Sequence, residues 1–218
     1  MGGGLSPGSI ILIYGEAETG KTTLAMQCAV DCALKNYKTL FIDCDGTFSA
    51  KRLSQIASSK FDVISELLIL IRPSNFSEQI AVIDNLSEYI AINFGLVVID
   101  TLTSLYRHKA AESSGKAFGI NRELNRQMAI LAQTAKIKKL PIVIVSQVRS
   151  VFDDSFVSVV PVANRVLKFW ADTIIALKPT ETPQTIRATL EKTQGKTQEV
   201  DCYLRIDKTG IHDDIAEC

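Results

Sequence analysis

The chain has 218 residues, with 24 Lys plus Arg balanced by 24 Asp plus Glu, 46% apolar residues and 22% charged ones. Those are the proportions of a soluble globular chain, and the exact charge balance excludes a polybasic tail or a uniformly basic nucleic-acid protein, leaving room only for a regional basic face. No apolar run approaches the roughly 18 residues of a membrane span, and Met1 leads into Gly2, Gly3 and Gly4 without the basic and apolar regions of a secretory signal.

A single domain across 1–218, cytoplasmic and without membrane association, is therefore expected. A chain of this length buries roughly 70% of its unfolded surface and needs no disulfide or metal to hold it. The Cys residues at 28, 32, 44, 202 and 218 read as reduced structural thiols, since only His108 and His212 could complete a zinc site.

In chain order, Ile10 to Tyr14 predicts a buried strand, Thr22 to Leu34 a helix, Thr39 to Ile42 a second strand and Ala50 to Ala57 a short helix. Leu67 to Ile71 predicts a strand ending at Pro73, and Glu78 to Ile92 an amphipathic helix. A strand follows at Leu96 to Ile99, then a long helix at Asn121 to Ile137 and a strand at Ile142 to Val145. Ser104 to Gly119 and Arg149 to Val162 lack periodicity and predict loops. From Thr173 onward the runs Thr173 to Leu177, Thr185 to Leu190 and Cys202 to Ile206 read as strands without long helices between them. The alternation predicts an α/β fold with a mostly parallel central sheet flanked by helices and an antiparallel C-terminal edge. In such a sheet the loops at the carboxyl ends of strands form the ligand crevice, so the two irregular stretches are candidates for function.

The strongest chemical signal is Gly15-Glu16-Ala17-Glu18-Thr19-Gly20-Lys21-Thr22, which fits G-x-x-x-x-G-K-[ST] between a predicted strand and a predicted helix. Its glycines allow a tight turn whose amides face an anion, and the following helix adds the positive end of its dipole. Lys21 is placed to reach the β- and γ-phosphates of ATP, and the Thr22 hydroxyl to ligate Mg²⁺, while Thr23 reads as structural. Glu16 and Glu18 oppose a triphosphate unless they point outward, which predicts weak nucleotide affinity.

Leu96-Val97-Val98-Ile99-Asp100 puts a carboxylate at the tip of a buried strand, the hard oxygen ligand that Mg²⁺ prefers. A helix cap is the plainer role for Asp100. The second strand also ends in acids, Asp43 and Asp45, and a carboxylate there can orient or deprotonate an attacking water; Asp45 is the choice, with turn formation by Asp45-Gly46 as the alternative. Ser146-Gln147 closes the Ile142 to Val145 strand, where a neutral amide can hydrogen-bond a γ-phosphate and report its loss, so Gln147 is the candidate switch.

With these elements in order, the chain resembles the ATPase core of the RecA/RadA recombinase family, most closely its short archaeal RadB branch. The resemblance rests on GGGLSPGSIILIYG, GKTTLAMQ, IDCDGTF with the later KRL, LVVIDTLTSLYR, IVIVSQV, VVPVANRVLKFWADTIIAL and LRIDKTGI. Pro161-Val162-Ala163 stands where filament-forming members carry a glycine pair. The resemblance implies a RecA-type P-loop fold. It puts Asp45 at the family's catalytic glutamate and Arg52 at an arginine that stacks on adenine; the alternative for Arg52 is a solvated helix residue. Asp45 is one methylene shorter than glutamate, and displacing a catalytic group by about 1 Å costs roughly 10²-fold in rate, so slow hydrolysis is expected. The family's N-terminal helical domain and polymerising linker are not expected here, and neither is a filament.

The resemblance also implies that the two irregular loops hold single-stranded DNA. Between 104 and 170, Arg107, Lys109, Lys116, Arg122, Arg126, Lys136, Lys138, Lys139, Arg149, Arg165 and Lys168 outnumber Glu112, Glu123, Asp153 and Asp154. That is the local asymmetry phosphate binding requires. Arg107, Arg149, Arg165 and Lys168 are the candidate DNA contacts, with Phe118, Phe152 and Phe156 able to stack on bases. Lys136, Lys138 and Lys139 instead suit a helix C-terminus. Phe169-Trp170 could meet a partner, though Trp170 packed on the sheet is the plainer reading.

The expectation is an ATP-binding, weakly hydrolysing DNA-binding accessory to a strand-exchange recombinase in recombination and repair. The competing reading is a KaiC-like signalling ATPase without DNA binding, which IDCDGTF and SQV disfavour. A small-molecule kinase would need an arginine-bearing lid that the sequence does not display.

Overall fold

The computed structural model describes residues 4–112, 117–153 and 156–213. The first half builds β1 (Ile10–Gly15), α1 (Lys21–Leu34), β2 (Lys38–Asp43), α2 (Ala50–Ala57), α3 (Phe61–Glu66), β3 (Leu68–Ile71), α4 (Phe76–Asp84), α5 (Leu86–Tyr89) and β4 (Phe94–Asp100). The second half builds α6 (Ser104–Glu112), α7 (Ala117–Lys138), β5 (Ile142–Ser146), β6 (Val148–Asp153), β7 (Phe156–Pro161), α8 (Asn164–Trp170), β8 (Thr173–Pro179), β9 (Thr185–Thr193), β10 (Lys196–Asp207) and β11 (Gly210–Asp213).

Nine strands form one sheet in the order β11-β10-β9-β8-β1-β5-β4-β2-β3. From β8 to β3 all neighbours run parallel, whereas β8 to β11 pair antiparallel, as the change of period after Thr173 predicts. This is the RecA-type α/β arrangement. The period of two sorts side chains onto the two faces, each covered by helices. Ile10, Leu12, Leu40, Ile42, Val97, Ile99, Ile142 and Ile144 pack into one core, and Ile11, Ile13, Phe41, Val98, Val143 and Val145 into the other. In β1 all six residues are buried, which is why it occupies the middle of the sheet.

The structure departs from the sequence expectations in four places. The predicted helix over 78–92 breaks at Asn85, whose side-chain amide donates to the Ala81 carbonyl at 2.8 Å and closes α4. Ser104 to Glu112 is the helix α6 rather than a loop; it buries only Ser104 and Leu105, so it carries no apolar period to read. Arg149 to Val162 contributes to an antiparallel ribbon in which Val148 pairs with Pro161 and Asp153 with Phe156. Trp170 is only partly buried where it packs against the core, its indole N–H donating to Asn125 Oδ1 of α7 at 2.9 Å, while Phe169 is exposed.

Two glycines do different work. A Cβ on Gly15 would lie 2.3 Å from the Leu177 carbonyl oxygen of β8, a backbone atom that cannot yield without prising β8 from β1. A Cβ on Gly46 would meet nothing, and only its φ of 70° favours glycine. Gly15→Ala is therefore expected to lower the urea-unfolding free energy by about 3 kcal/mol or more, and Gly46→Ala by about 1 kcal/mol. Equal losses would contradict the packing argument.

Candidate functional site

The turn after β1 runs through Glu18 at φ 63° and Gly20 at φ 81° before α1 begins. Thr19 is buried and its hydroxyl donates to the Glu16 carbonyl at 2.9 Å, pinning the turn from inside. Glu16, Ala17 and Glu18 are exposed. Lys21 Nζ donates to the same Glu16 carbonyl. Burial lowers the Lys21 pKa, and the nearby Asp100, Asp45 and Glu16 carboxylates work against that fall. The ammonium thus sits among three carboxylates, with a carbonyl as its hydrogen-bond acceptor.

Parallel pairing puts Asp43 of β2 directly beside Asp100 of β4 at the carboxyl edge of the sheet. The two acids meet different surroundings. Asp43 accepts from the Thr47 and Phe48 amides at 3.1 and 3.2 Å and pairs with Arg72 Nε at 2.9 Å, so its charge is spent on the turn. Arg72 is a structural partner the sequence reading missed, because its target lies 29 residues away. Asp100 is 1% exposed, and its Oδ1 has no hydrogen-bond partner. Burial raises its pKa to about 6, opposed by a hydrogen bond from Thr22 and the charge of Lys21, and reinforced by Asp45 and Asp43. An orphaned buried carboxylate oxygen beside a hydroxyl is a hard-oxygen donor set that fits Mg²⁺.

Asp45 Oδ2 accepts from Gln147 Nε2 at 3.1 Å, and Gln147 Oε1 accepts from Arg107 Nη1 at 2.5 Å. The three line a cleft of about 690 Å³ between the ends of β2 and β5 and α6. The fold thus gathers Lys21, Thr22, Asp45, Asp100 and Gln147 at one end of the sheet. Thr23 is buried and its hydroxyl accepts from Arg52 Nη2 at 3.4 Å. Arg52 also donates to the Asp207 and Lys208 carbonyls, each at 2.8 Å, so its guanidinium clamps the β10–β11 turn against α1 and α2.

The basic residues separate. Arg165 is exposed on α8 and forms no ion pair among the described residues. Lys168 is held by Glu191 at 2.6 Å and sits 5.0 Å above the Tyr14 ring. Arg107 meets Gln147. Arg126 is tied to Glu123 and Asp84 at 2.7 and 2.8 Å. The side chains of Arg149, Phe152 and Phe156, and all of Lys116 and Asp154, lie outside the described residues. Phe118 is exposed at the start of α7. Among the described residues no helix is long and apolar enough to cross a membrane.

Residues 1–214 match the family described as Rad51. The DNA repair and recombination protein RadB of Thermococcus kodakarensis is 34% identical over 216 residues, covering 98% of this chain and 94% of the relative. That of Methanosphaera stadtmanae is 30% identical over 198 residues, covering 90% and 84%. A crystal structure of the RadB recombinase is similar with a TM-score of 0.80 and 32% identity, covering 97% of this chain and 93% of that one.

Asp100 generates a pH signature. Its folded-state pKa of about 6 lies above the ordinary 3.8, so the folded chain holds this proton more tightly than the unfolded chain. That contribution is complete below about pH 4 and is lost as pH rises through about 6, where a bare carboxylate must be buried. In the absence of ATP and metal, Asp100→Asn is expected to gain stability over the parent by about 2–3 kcal/mol at pH 8, the gain shrinking towards pH 4.5. Urea unfolding at the two pH values checks this; a difference independent of pH contradicts it.

Proposed function

The chain belongs to the Rad51 family, and from that premise we propose that it binds and slowly hydrolyses ATP with Mg²⁺, binds DNA, and serves recombination and repair as a RadB-like accessory to a strand-exchange recombinase. The observation that carries the reading is the convergence of Lys21, Thr22, Asp100 and the Asp45–Gln147 pair on one edge of the sheet. The relatives support this branch over a KaiC-like signalling ATPase.

When triphosphate enters the turn, Lys21 exchanges the Glu16 carbonyl for phosphate oxygens, and the amides of 16–21 face the same anion. Thr22 and Asp100 Oδ1 are the residues to hold Mg²⁺, which would offset phosphate charge. Binding needs Asp100 ionised, so the price of burying that carboxylate in the free protein is recovered only in the nucleotide complex. Asp45 accepts the proton of the attacking water as oxygen bonds to the γ-phosphorus and ADP leaves. Gln147 holds Asp45 in orientation and is the group that senses the γ-phosphate. Asp45 is short for this work, which makes turnover slow. Arg52, tied to the β10–β11 turn, is the residue that the family resemblance would put on the adenine ring.

Single-stranded DNA would lie across the ribbon β6–β7 and α8, with Arg149 and Arg165 on its phosphates. Lys168 serves the fold instead, because its charge is already matched by Glu191.

Fluorescence anisotropy with labelled single-stranded DNA, with and without ATP and Mg²⁺ at several salt concentrations, tests the reading. Saturable binding that responds to ATP is the expected result; ATP binding with no DNA binding at low salt would overturn it in favour of the signalling ATPase. Arg165→Ala is expected to reduce the log–log salt slope by about 0.7, one phosphate contact on a single strand, whereas Lys168→Ala leaves the slope and lowers the melting temperature. In calorimetry, Glu18→Ser removes an exposed like charge and is expected to tighten ATP binding by about twofold.

A further inference from the structure

Gln79 of α4 and Gln127 of α7 are both fully buried, amid the apolar core that covers one face of the sheet. The Gln79 amide nitrogen donates to Gln127 Oε1 at 2.9 Å and to the Leu102 carbonyl at 3.2 Å. Gln79 Oε1 and Gln127 Nε2 have no hydrogen-bond partner among the described residues. Leu102 lies two residues beyond Asp100, on the segment that leaves β4 for α6. Other ties of that segment run to the ends of neighbouring strands. The Asp100 carbonyl accepts from the Cys44 amide at 2.7 Å, the Leu102 amide donates to the Val145 carbonyl at 3.2 Å, and the Thr103 hydroxyl lies 3.3 Å from that of Ser146. Gln79 adds a tie from the helical layer.

We propose that Gln79 is a positioning residue of the metal site, holding the Leu102 carbonyl so that Asp100 Oδ1 stays aimed at the place of Mg²⁺, with Gln127 steadying the Gln79 amide. The proposal rests on reading Asp100 as a metal ligand. Three physical points carry it. Burying two primary amides with two of their polar atoms unpaired is unfavourable, and a pair of apolar side chains of similar volume would suit this core better. Packing therefore does not account for the pair, whereas a fixed Leu102 carbonyl does. Secondly, Asp100 Oδ1 has no hydrogen bond of its own, so its aim depends on the backbone that carries it. That backbone is set by β4 on one side and by residues 101–104 on the other. Thirdly, Mg²⁺ demands near-octahedral geometry and tolerates a displaced ligand poorly. The Gln79 nitrogen serves Leu102 and Gln127 together, so its amide cannot turn without losing both bonds.

The test measures Mn²⁺, standing in for Mg²⁺, by electron paramagnetic resonance in the presence of a non-hydrolysable ATP analogue. It compares the parent with Gln79→Met, Gln127→Met, the double variant Gln79→Met/Gln127→Met and Asp100→Asn, each also followed by urea unfolding and by binding of the analogue in EDTA. The two single variants each leave one buried amide behind, but only Gln79→Met unties Leu102. Gln79→Met is expected to lose Mn²⁺ affinity about tenfold, the low end for removing a group that supports a metal ligand, with metal-free nucleotide affinity unchanged. Gln127→Met should lose less. The double variant should keep the Mn²⁺ loss of Gln79→Met while its unfolding midpoint recovers towards or beyond the parent's, since no orphaned amide remains. Equal Mn²⁺ losses in the two single variants, or parental Mn²⁺ affinity in Gln79→Met, would show a merely structural pair and overturn the proposal. An Asp100→Asn protein with parental Mn²⁺ affinity would overturn the reading of Asp100 as a ligand, and the proposal with it. If Asp100→Asn loses Mn²⁺ and Gln79→Met does not, the positioning role alone fails.

Discussion

A carboxylate sunk at the end of a nonpolar sheet is the constraint from which the rest of the site follows. Asp100 is carried there by β4, whose preceding residues Leu96 to Ile99 are buried on both faces and leave it no route to water. Its Oδ1 lacks a partner, and its neighbours are mostly other acids, Asp43 beside it in register and Asp45 beyond. Ionising such a group is unfavourable unless a cation arrives beside it. Asp43, equally buried, is instead satisfied by Arg72 and two backbone amides. The division of labour between adjacent strand ends is thus set by hydrogen-bond supply.

The parts of this arrangement that were legible in the sequence are those whose chemistry lies in contiguous residues. The 15–22 turn, the strand 96–100 and the strand 142–146 each combine an apolar run with the polar residue that ends it, so position and role can be read together. Elements held by polar or distant contacts escaped. Helix α6 buries too little to show a period. The ribbon β6–β7 pairs only with itself, apart from the main sheet. Charge alone nominated Arg107 and Lys168 for DNA, but their partners Gln147 and Glu191 lie 40 and 23 residues away, and no local pattern reveals such pairings.

The antiparallel edge bears directly on the nucleotide turn. A Cβ on Gly20 would meet the Ile206 side chain at 2.7 Å, so β10 packs against the start of α1. Gln27 of α1 bonds both the amide and the carbonyl of Ile211 in β11, at 2.8 and 2.9 Å. With Arg52 on the Asp207 and Lys208 carbonyls, three separate contacts fasten the last hairpin to the phosphate end of the molecule. Polar contacts that satisfy backbone groups cost much to leave unmade, so this hairpin cannot shift without disturbing the mouth of the site.

A second tie reaches the site from the opposite flank. The Tyr14 hydroxyl donates to Glu191 at 2.5 Å, and the same carboxylate binds Lys168 of α8 at 2.6 Å. Burial and the Glu191 carboxylate raise the Tyr14 pKa, keeping the phenol protonated as the donor throughout the working range. Lys192, next along β9, donates to the Ala171 carbonyl at the end of α8. Helix α8 is thus fixed at its last turn to β9 and to β1, one residue before the phosphate turn begins, while its first turn emerges from the ribbon β6–β7. Helix α8 is therefore the stiffly held element of this flank, whereas the Arg107–Gln147–Asp45 chain is made of side-chain hydrogen bonds at the border of an open cleft.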